Sequence, residues 1–352
     1  MSNVITVTGP ISSSELGRTL IHEHLFVDAT AGHWRPPEPW KQRYRDSKVS
    51  ADIAWLLRED PFCVLDNCIL DDVDGVVEEL GHFLDVGGRT VVEATNETMG
   101  RDPAGLVEVS RRTGLNVVMG AGWYLSSTHP QWVTEASVEQ LTDHLLNDLL
   151  EGPGDTGIRP GIIGEIGVSA DFVPAEQRCL RAAARAQVLT GLPLVVHLPG
   201  WQRPGHQVLD MVMEEGVRPE AVILCHVNPS DRDPEYQEAL AARGAWLEFD
   251  MVGMGFYYAD QDGQSPSPEE DAAAIARLVR AGFGPQVLLS HDVFLKSMWT
   301  RHGGNGFGYV PYLFLDRLVR HGVERTVADA MIDQHPAAVF DAAAAHLVDK
   351  EQ

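Results

Sequence analysis

Short, almost uninterrupted apolar runs alternate along the chain with longer segments in which apolar residues recur every three or four positions. The runs are residues 18–26, 89–96, 115–124, 159–168, 192–200, 221–228, 244–253 and 286–294. Each is rich in Val, Ile and Leu, the pattern of strands covered on both faces, as in a parallel sheet. The intervening segments read as helices with legible ends. Residues 70–86 stop at Gly87-Gly88, and Asp102-Pro103 opens a helix that stops at Gly114. Ser137 with Gln140 makes a capping box, and Pro174 opens an Ala-rich helix closed by Gly191. Residues 231–243 and 268–281 behave similarly.

Eight strands with interposed helices predict an α/β chain, a (β/α)8 TIM barrel, as a single domain over residues 1–352. Such barrels need roughly 250 residues. The surplus is expected in long segments at 27–69, 254–267 and 295–308.

Composition narrows the function. The 27 Lys and Arg against 51 Asp and Glu leave a net charge of −24. A phosphate backbone or an anionic membrane would be repelled, so neither is an expected partner. The 4 cysteines form no CxxC pair, so buried free thiols are expected. The N-terminal stretch shows neither a secretory signal nor a run long enough to span a bilayer, and a cytoplasmic protein is expected.

The strands end in polar residues of a narrow kind. His22 and His24 are two apart on the first strand and share a face. Glu165 ends the fourth strand, His197 the fifth, His226 the sixth and Asp292 the eighth. This rim is where barrel active sites are built. A lone strand-end histidine is more often structural, and Glu165 alone could be a barrel carboxylate paired with Arg. Imidazole and carboxylate together suit Zn, Mn, Co, Fe or Ni. Four histidines and two carboxylates exceed what one tetrahedral ion needs, but match two ions that share a carboxylate and activate a water.

The HEH of residues 22–24, the single histidines on strands five and six, and SHD at 290–292 resemble the amidohydrolase superfamily. The phosphotriesterase-related branch is the nearer likeness. It extends through DNCILDD (66–72), GRDP (100–103), GAGWYLSSTHP (120–130), HVNPSD (226–231) and RHGGNGFGYV (301–310). The resemblance implies that His22, His24 and Asp292 hold one metal and that His197 and His226 hold a second. Glu165 stands where relatives commonly carry a bridging carboxylated lysine, so a bridge or a single-ion site are both open. Zinc is the first expectation.

The resemblance also implies a metal-activated water attacking a carbonyl or phosphoryl centre, with Asp292 taking its proton. The expected activity is hydrolysis of a lactone or other carboxylic ester by a homodimer, with phosphotriester hydrolysis as a side activity. Alternatives are a true phosphotriesterase, a C–N hydrolase, or a metal-binding protein without catalysis. Tyr124 matches a tyrosine that lies against the metals in lactonases, and Trp123 beside it is a candidate substrate contact. Met251 stands where such lactonases carry an arginine. Lys296, Arg301 and His302, in the last loop, are candidates to receive an anionic substrate group. Glu23 faces away from the histidines beside it and is expected to pack against the helix layer. Alternation puts Cys225 on the outward face from His226. His82, His144, His321 and His346 lie in helical segments and are expected to be surface or core residues.

Overall fold

The computed structural model describes all residues except 155, 259, 260, 351 and 352, and no side chain at 346 or 348–350. The described residues build eight parallel strands around one axis. In chain order these are β1 (Arg18–Glu23), β2 (Gly88–Glu93), β3 (Asn116–Met119) and β4 (Ile163–Gly167). There follow β5 (Leu194–His197), β6 (Val222–Leu224), β7 (Trp246–Phe249) and β8 (Val287–Leu289). β1, β2 and β3 pair in that order, and β4 to β8 pair in sequence. Two seams close the ring. Gly161 N donates to Met119 O at 2.9 Å and Gly164 N to Ala121 O at 2.7 Å, joining β3 to β4. Asp292 N donates to His22 O at 3.2 Å, joining β8 to β1.

The connecting helices are α1 (Val73–Asp85), α2 (Pro103–Thr113), α3 (Val138–Glu151), α4 (Pro174–Thr190), α5 (Gly205–Glu214), α6 (Pro234–Ala242) and α7 (Pro268–Arg280). Their ends follow the sequence signals. Ser137 N donates to Gln140 Oε1 at 2.9 Å and Gln140 N to Ser137 Oγ at 3.3 Å, the reciprocal pair expected at the start of α3. Gly114 and Gly191 end α2 and α4 in the left-handed conformation.

The inward residues Ile21, Val92, Val118, Val195, Ile223 and Leu288 form an apolar floor. Val4, from a hairpin of Asn3–Thr6 with Gly9–Ser12, and Val339 and Phe340 of the last helix join it from below. The polar residues therefore stand on a packed base at the C-terminal ends of the strands. The strands are shorter than the apolar runs that announce them. Residues 120–124, 225–227 and 290–294 run on past their strands as irregular backbone on the rim. The long segment after β1 holds a short helix (Ala54–Glu59) and a ribbon pairing Val27–Asp28 with Ile69–Leu70.

Candidate metal centre

The six side chains singled out by the sequence converge in one buried cluster. His24 Nε2 lies 3.2 Å from Asp292 Oδ1 and 3.5 Å from Glu165 Oε1. On the other side, Glu165 Oε2 lies 3.2 Å from His197 Nδ1 and 3.3 Å from His226 Nε2. His22 Nε2 stands between the two sets, 3.8 Å from both Glu165 Oε2 and Asp292 Oδ1. The two oxygens of Glu165 thus address different groups of donors, as a bridging carboxylate must.

The far side of each ring explains why these nitrogens point inward. His22 Nδ1 meets Glu248 Oε2 at 3.0 Å, and His226 Nδ1 meets Asp250 Oδ1 at 3.0 Å. His24 Nδ1 meets Thr95 Oγ1 at 2.7 Å, whose own proton goes to Glu93 Oε1 at 2.5 Å. Each acceptor holds the proton on Nδ1 and frees the Nε2 lone pair for the centre. His22 Nε2 is buried with no hydrogen-bond partner among the described residues. Such an orphan costs about 1–3 kcal/mol. His197 Nδ1 and His226 Nε2 face one another at 2.8 Å, which two lone pairs tolerate only with a cation or a proton between them. This donor set fits metal ions.

Charge tells the same story. Burial opposes protonation of His22, but the carboxylates of Glu248, Glu165 and Asp250 outweigh it and raise the ring to about 10. His24 is likewise disfavoured by burial yet lifted to about 9 by Asp292 and Glu165. Burial would raise the Glu165 carboxyl, but hydrogen bonds and charge from the surrounding histidines hold it well below its usual range. The carboxylates here attract positive charge strongly, which protons or metal ions can supply.

Backbone strain accompanies the site. His226 has φ of +56° and Asp292 φ of +50°, left-handed conformations rare outside glycine. They correct one sequence expectation. Alternation would turn Cys225 outward, but the left-handed turn at His226 swings that ring back inward, so consecutive residues both face the interior. Cys225 lies in the barrel interior near His22, Glu248 and Asp250, and burial holds its thiol well above its usual range.

Glu23 turns away from the histidines as expected, but not to the helix layer. It accepts hydrogen bonds from Ser290 Oγ (2.8 Å), His291 N (3.0 Å) and Val293 N (2.9 Å). His82 and His144 meet Thr300 and Glu97 near the surface, and His321 pairs with Glu269. The side chain of His346 lies outside the described residues.

Above the cluster opens a cavity of about 260 Å³. Tyr124 and Met251 line it, with Phe294, Trp201 and Tyr258 as further apolar walls and Arg35 at the mouth. The Tyr124 hydroxyl is 3.3 Å from His197 Nδ1. A Cβ at Gly167 would fall 2.2 Å from the Tyr124 carbonyl carbon, so glycine there lets the Tyr124 backbone pass against β4. Four candidate substrate contacts, Trp123, Lys296, Arg301 and His302, do not line this cavity. Trp123 is fully buried, its Nε1 donating to Glu97 at 2.5 Å. Lys296 Nζ is held by Asp66 at 3.0 Å, and Arg301 Nη2 by Asp72 at 3.0 Å. Paired with these carboxylates, both cations turn away from the site.

Sequence reasoning missed Glu248, Asp250, Glu93 and Thr95, which hold the rings, and His33, whose Nε2 lies 3.2 Å from the Tyr124 hydroxyl. For Glu248 and Asp250 a signal existed, because EFD places two acids on one strand face, as HEH does for the histidines. His33 comes from the 27–69 segment, where no periodicity announces it.

The family model described as the phosphotriesterase family matches residues 2–340. The chain belongs to the phosphotriesterase family. N-acetyltaurine hydrolase of Rattus norvegicus is 31% identical over 338 residues, 95% of this chain and 96% of that protein. A solved structure of a resiniferatoxin-binding protein from Rhodobacter sphaeroides is 50% identical with a TM-score of 0.95, covering 97% of this chain and 95% of that one. The phosphotriesterase homology protein from Escherichia coli, complexed with phosphate in its active site, is 27% identical with a TM-score of 0.78, covering 93% and 99%. Membership fixes this phosphotriesterase-family chain as a TIM-barrel hydrolase, with the bond it cleaves left to its own site. No helix among the described residues is long and apolar enough to cross a membrane.

Proposed function

We propose that the chain is a metal-dependent hydrolase of a carboxylic acyl bond, and that its substrate is a small N-acyl amide with an anionic far end. In this reading His22, His24 and Asp292 hold one divalent ion and His197 and His226 a second, with Glu165 bridging and zinc as the first candidate. The observation that carries the metal dependence is the inward convergence of histidine lone pairs on Glu165 and Asp292, with His22 Nε2 unpartnered among the described residues. When bound, the ions supply an activated water and a Lewis acid for the substrate oxygen. Asp292, with Oδ1 3.2 Å from His24 Nε2, accepts the proton of the attacking water on its carboxylate. The Tyr124 hydroxyl lies at the cavity wall, where it can donate to the carbonyl oxygen. The apolar walls exclude water from the acyl group, and Arg35 offers a cation to an anionic end at the mouth.

The amide assignment draws support from the N-acetyltaurine hydrolases, which match over nearly the whole chain. The second reading is a lactone or other ester, favoured by Tyr124 against His197. A panel of N-acetyltaurine, N-acyl amino acids, γ- and δ-lactones and an aryl dialkyl phosphate, assayed with metal-loaded protein, separates them. Higher kcat/KM on the amides is expected. Faster turnover of lactones overturns the amide assignment, and fastest turnover of the phosphotriester overturns the acyl reading.

A further inference from the structure

The last loop carries Arg301 and His302, which the catalytic cavity does not use and which border a second cavity. This space of about 480 Å³ lies between the 49–58 segment, loop 252–256 and residues 291–306. Its walls are apolar at Leu57, Met254, Phe256 and Met298, and polar at Arg58, Arg301, His302 and Ser297.

Three features mark it as a place for a ligand. First, no Asp or Glu is among its described lining residues, although the chain has 51 acids against 27 bases. A hollow lined by arginine and by no acid favours anions, even on an acidic protein. Second, Arg58 makes no ion pair among the described residues; its Nε donates to the Ala54 carbonyl at 3.4 Å. Arg301 differs, being held by Asp72 at the rim. Third, the Ser297 hydroxyl is buried and has no hydrogen-bond partner among the described residues. Buried hydroxyls are normally satisfied, so an unpaired one lining a cavity points to a missing partner.

We propose that this second cavity binds a small organic anion with an apolar body, a carboxylate or sulfonate amphiphile. Its charge pairs with Arg58, its head bonds to the Ser297 hydroxyl, and its body lies over Leu57, Met254, Phe256 and Met298. The site is separate from the catalytic cavity but shares its walls. Met254 Sδ accepts from the Tyr258 hydroxyl at 2.7 Å, and Tyr258 lines the catalytic cavity. His291 and Val293 line the second cavity and flank Asp292. A ligand there would lie beside the two neighbours of Asp292 in the chain.

The test is a fluorescence titration of the metal-loaded full chain with 8-anilinonaphthalene-1-sulfonate, an anionic apolar probe. One probe per chain is expected, displaced by decanoate and not by equal decanol. Arg58→Glu, an exposed change, should weaken binding about tenfold or more, as loss of a charge-assisted contact does. Arg58→Lys should retain most of it, and Arg35→Glu, at the catalytic mouth, should leave it unchanged. Equal affinity in Arg58→Glu, equal displacement by decanol, or loss of binding in Arg35→Glu would each overturn the proposal. None of these outcomes depends on which bond the enzyme cleaves.

Discussion

Glu23 Oε1 lies 2.6 Å from Nδ1 of His291, and that contact ties the strand bearing His22 and His24 to the turn bearing Asp292. Both residues are buried, and His291 Nε2 in turn accepts from Val310 N at 2.8 Å. Glu23 is a positioning residue: it fixes the spacing of donors on two strands without facing the centre. Glu23→Gln keeps the shape but loses the charge that gathers these donors. Metal affinity should fall by about 10–100-fold, the range for partners that orient ligands. Isothermal titration with zinc checks this, and unchanged affinity would show that the turn after β8 holds itself.

Asp250 makes a different prediction, because its hydrogen bonds go to His226, while His22 Nδ1 stands farther off at 3.5 Å. It receives both the backbone N and the ring Nδ1 of His226. In Asp250→Asn one carboxylate oxygen becomes an amide NH2 and the negative charge that fixes the ring's tautomer is lost. Metal content should drop from two ions per chain towards one, with the His24 and Asp292 side still filled. Elemental analysis after gel filtration measures this directly.

Metal affinity should rise with pH. His22 and His24 are lifted to about 10 and about 9 in the metal-free protein, so both carry protons at pH 7. A ligating ring must be neutral, so each binding event at neutral pH releases protons. In the metal-free fold the sign is opposite. A raised histidine stabilises the fold fully below its unfolded value of about 6.5, and that contribution fades as pH climbs through 9 to 10. Alkali should therefore weaken the metal-free protein through these two rings while strengthening metal binding. Calorimetry in buffers of different ionisation enthalpy counts the protons released. Zero release between pH 6 and 8 would contradict the charge balance described here.

Tyr124→Phe removes a hydroxyl near His197 and leaves the ring in the wall. kcat should fall by about 100-fold or more, the lower end of the range for loss of one donor to a developing oxyanion. Metal content should stay the same. A change in KM alone would make the hydroxyl a binding contact.

The barrel and its metal-type donors were legible because both follow periodic rules. Apolar runs marked the strands, and spacing of two placed His22 with His24. Cys225 was misjudged because alternation holds only for extended backbone, and His226 leaves it at φ of +56°. Lys296 and Arg301 were misjudged because the direction of a loop cation depends on its partner. Asp66 and Asp72, far away in sequence, supply those partners. His33 was invisible because its ring is placed by packing against Phe294 and Tyr124, with centroids 5.6 and 5.7 Å away, and not by any local pattern.

The central claim is that Glu165 bridges two divalent ions that the chain needs for hydrolysis. Metal content per chain, determined by elemental analysis alongside amide hydrolysis as ions are removed and restored, tests it most directly. Two ions per chain, with activity lost on chelation and regained on adding zinc, is the expected result. Tight binding of a single ion would contradict the bridge, and hydrolysis that persists in stripped protein would contradict the metal-dependent reading as a whole.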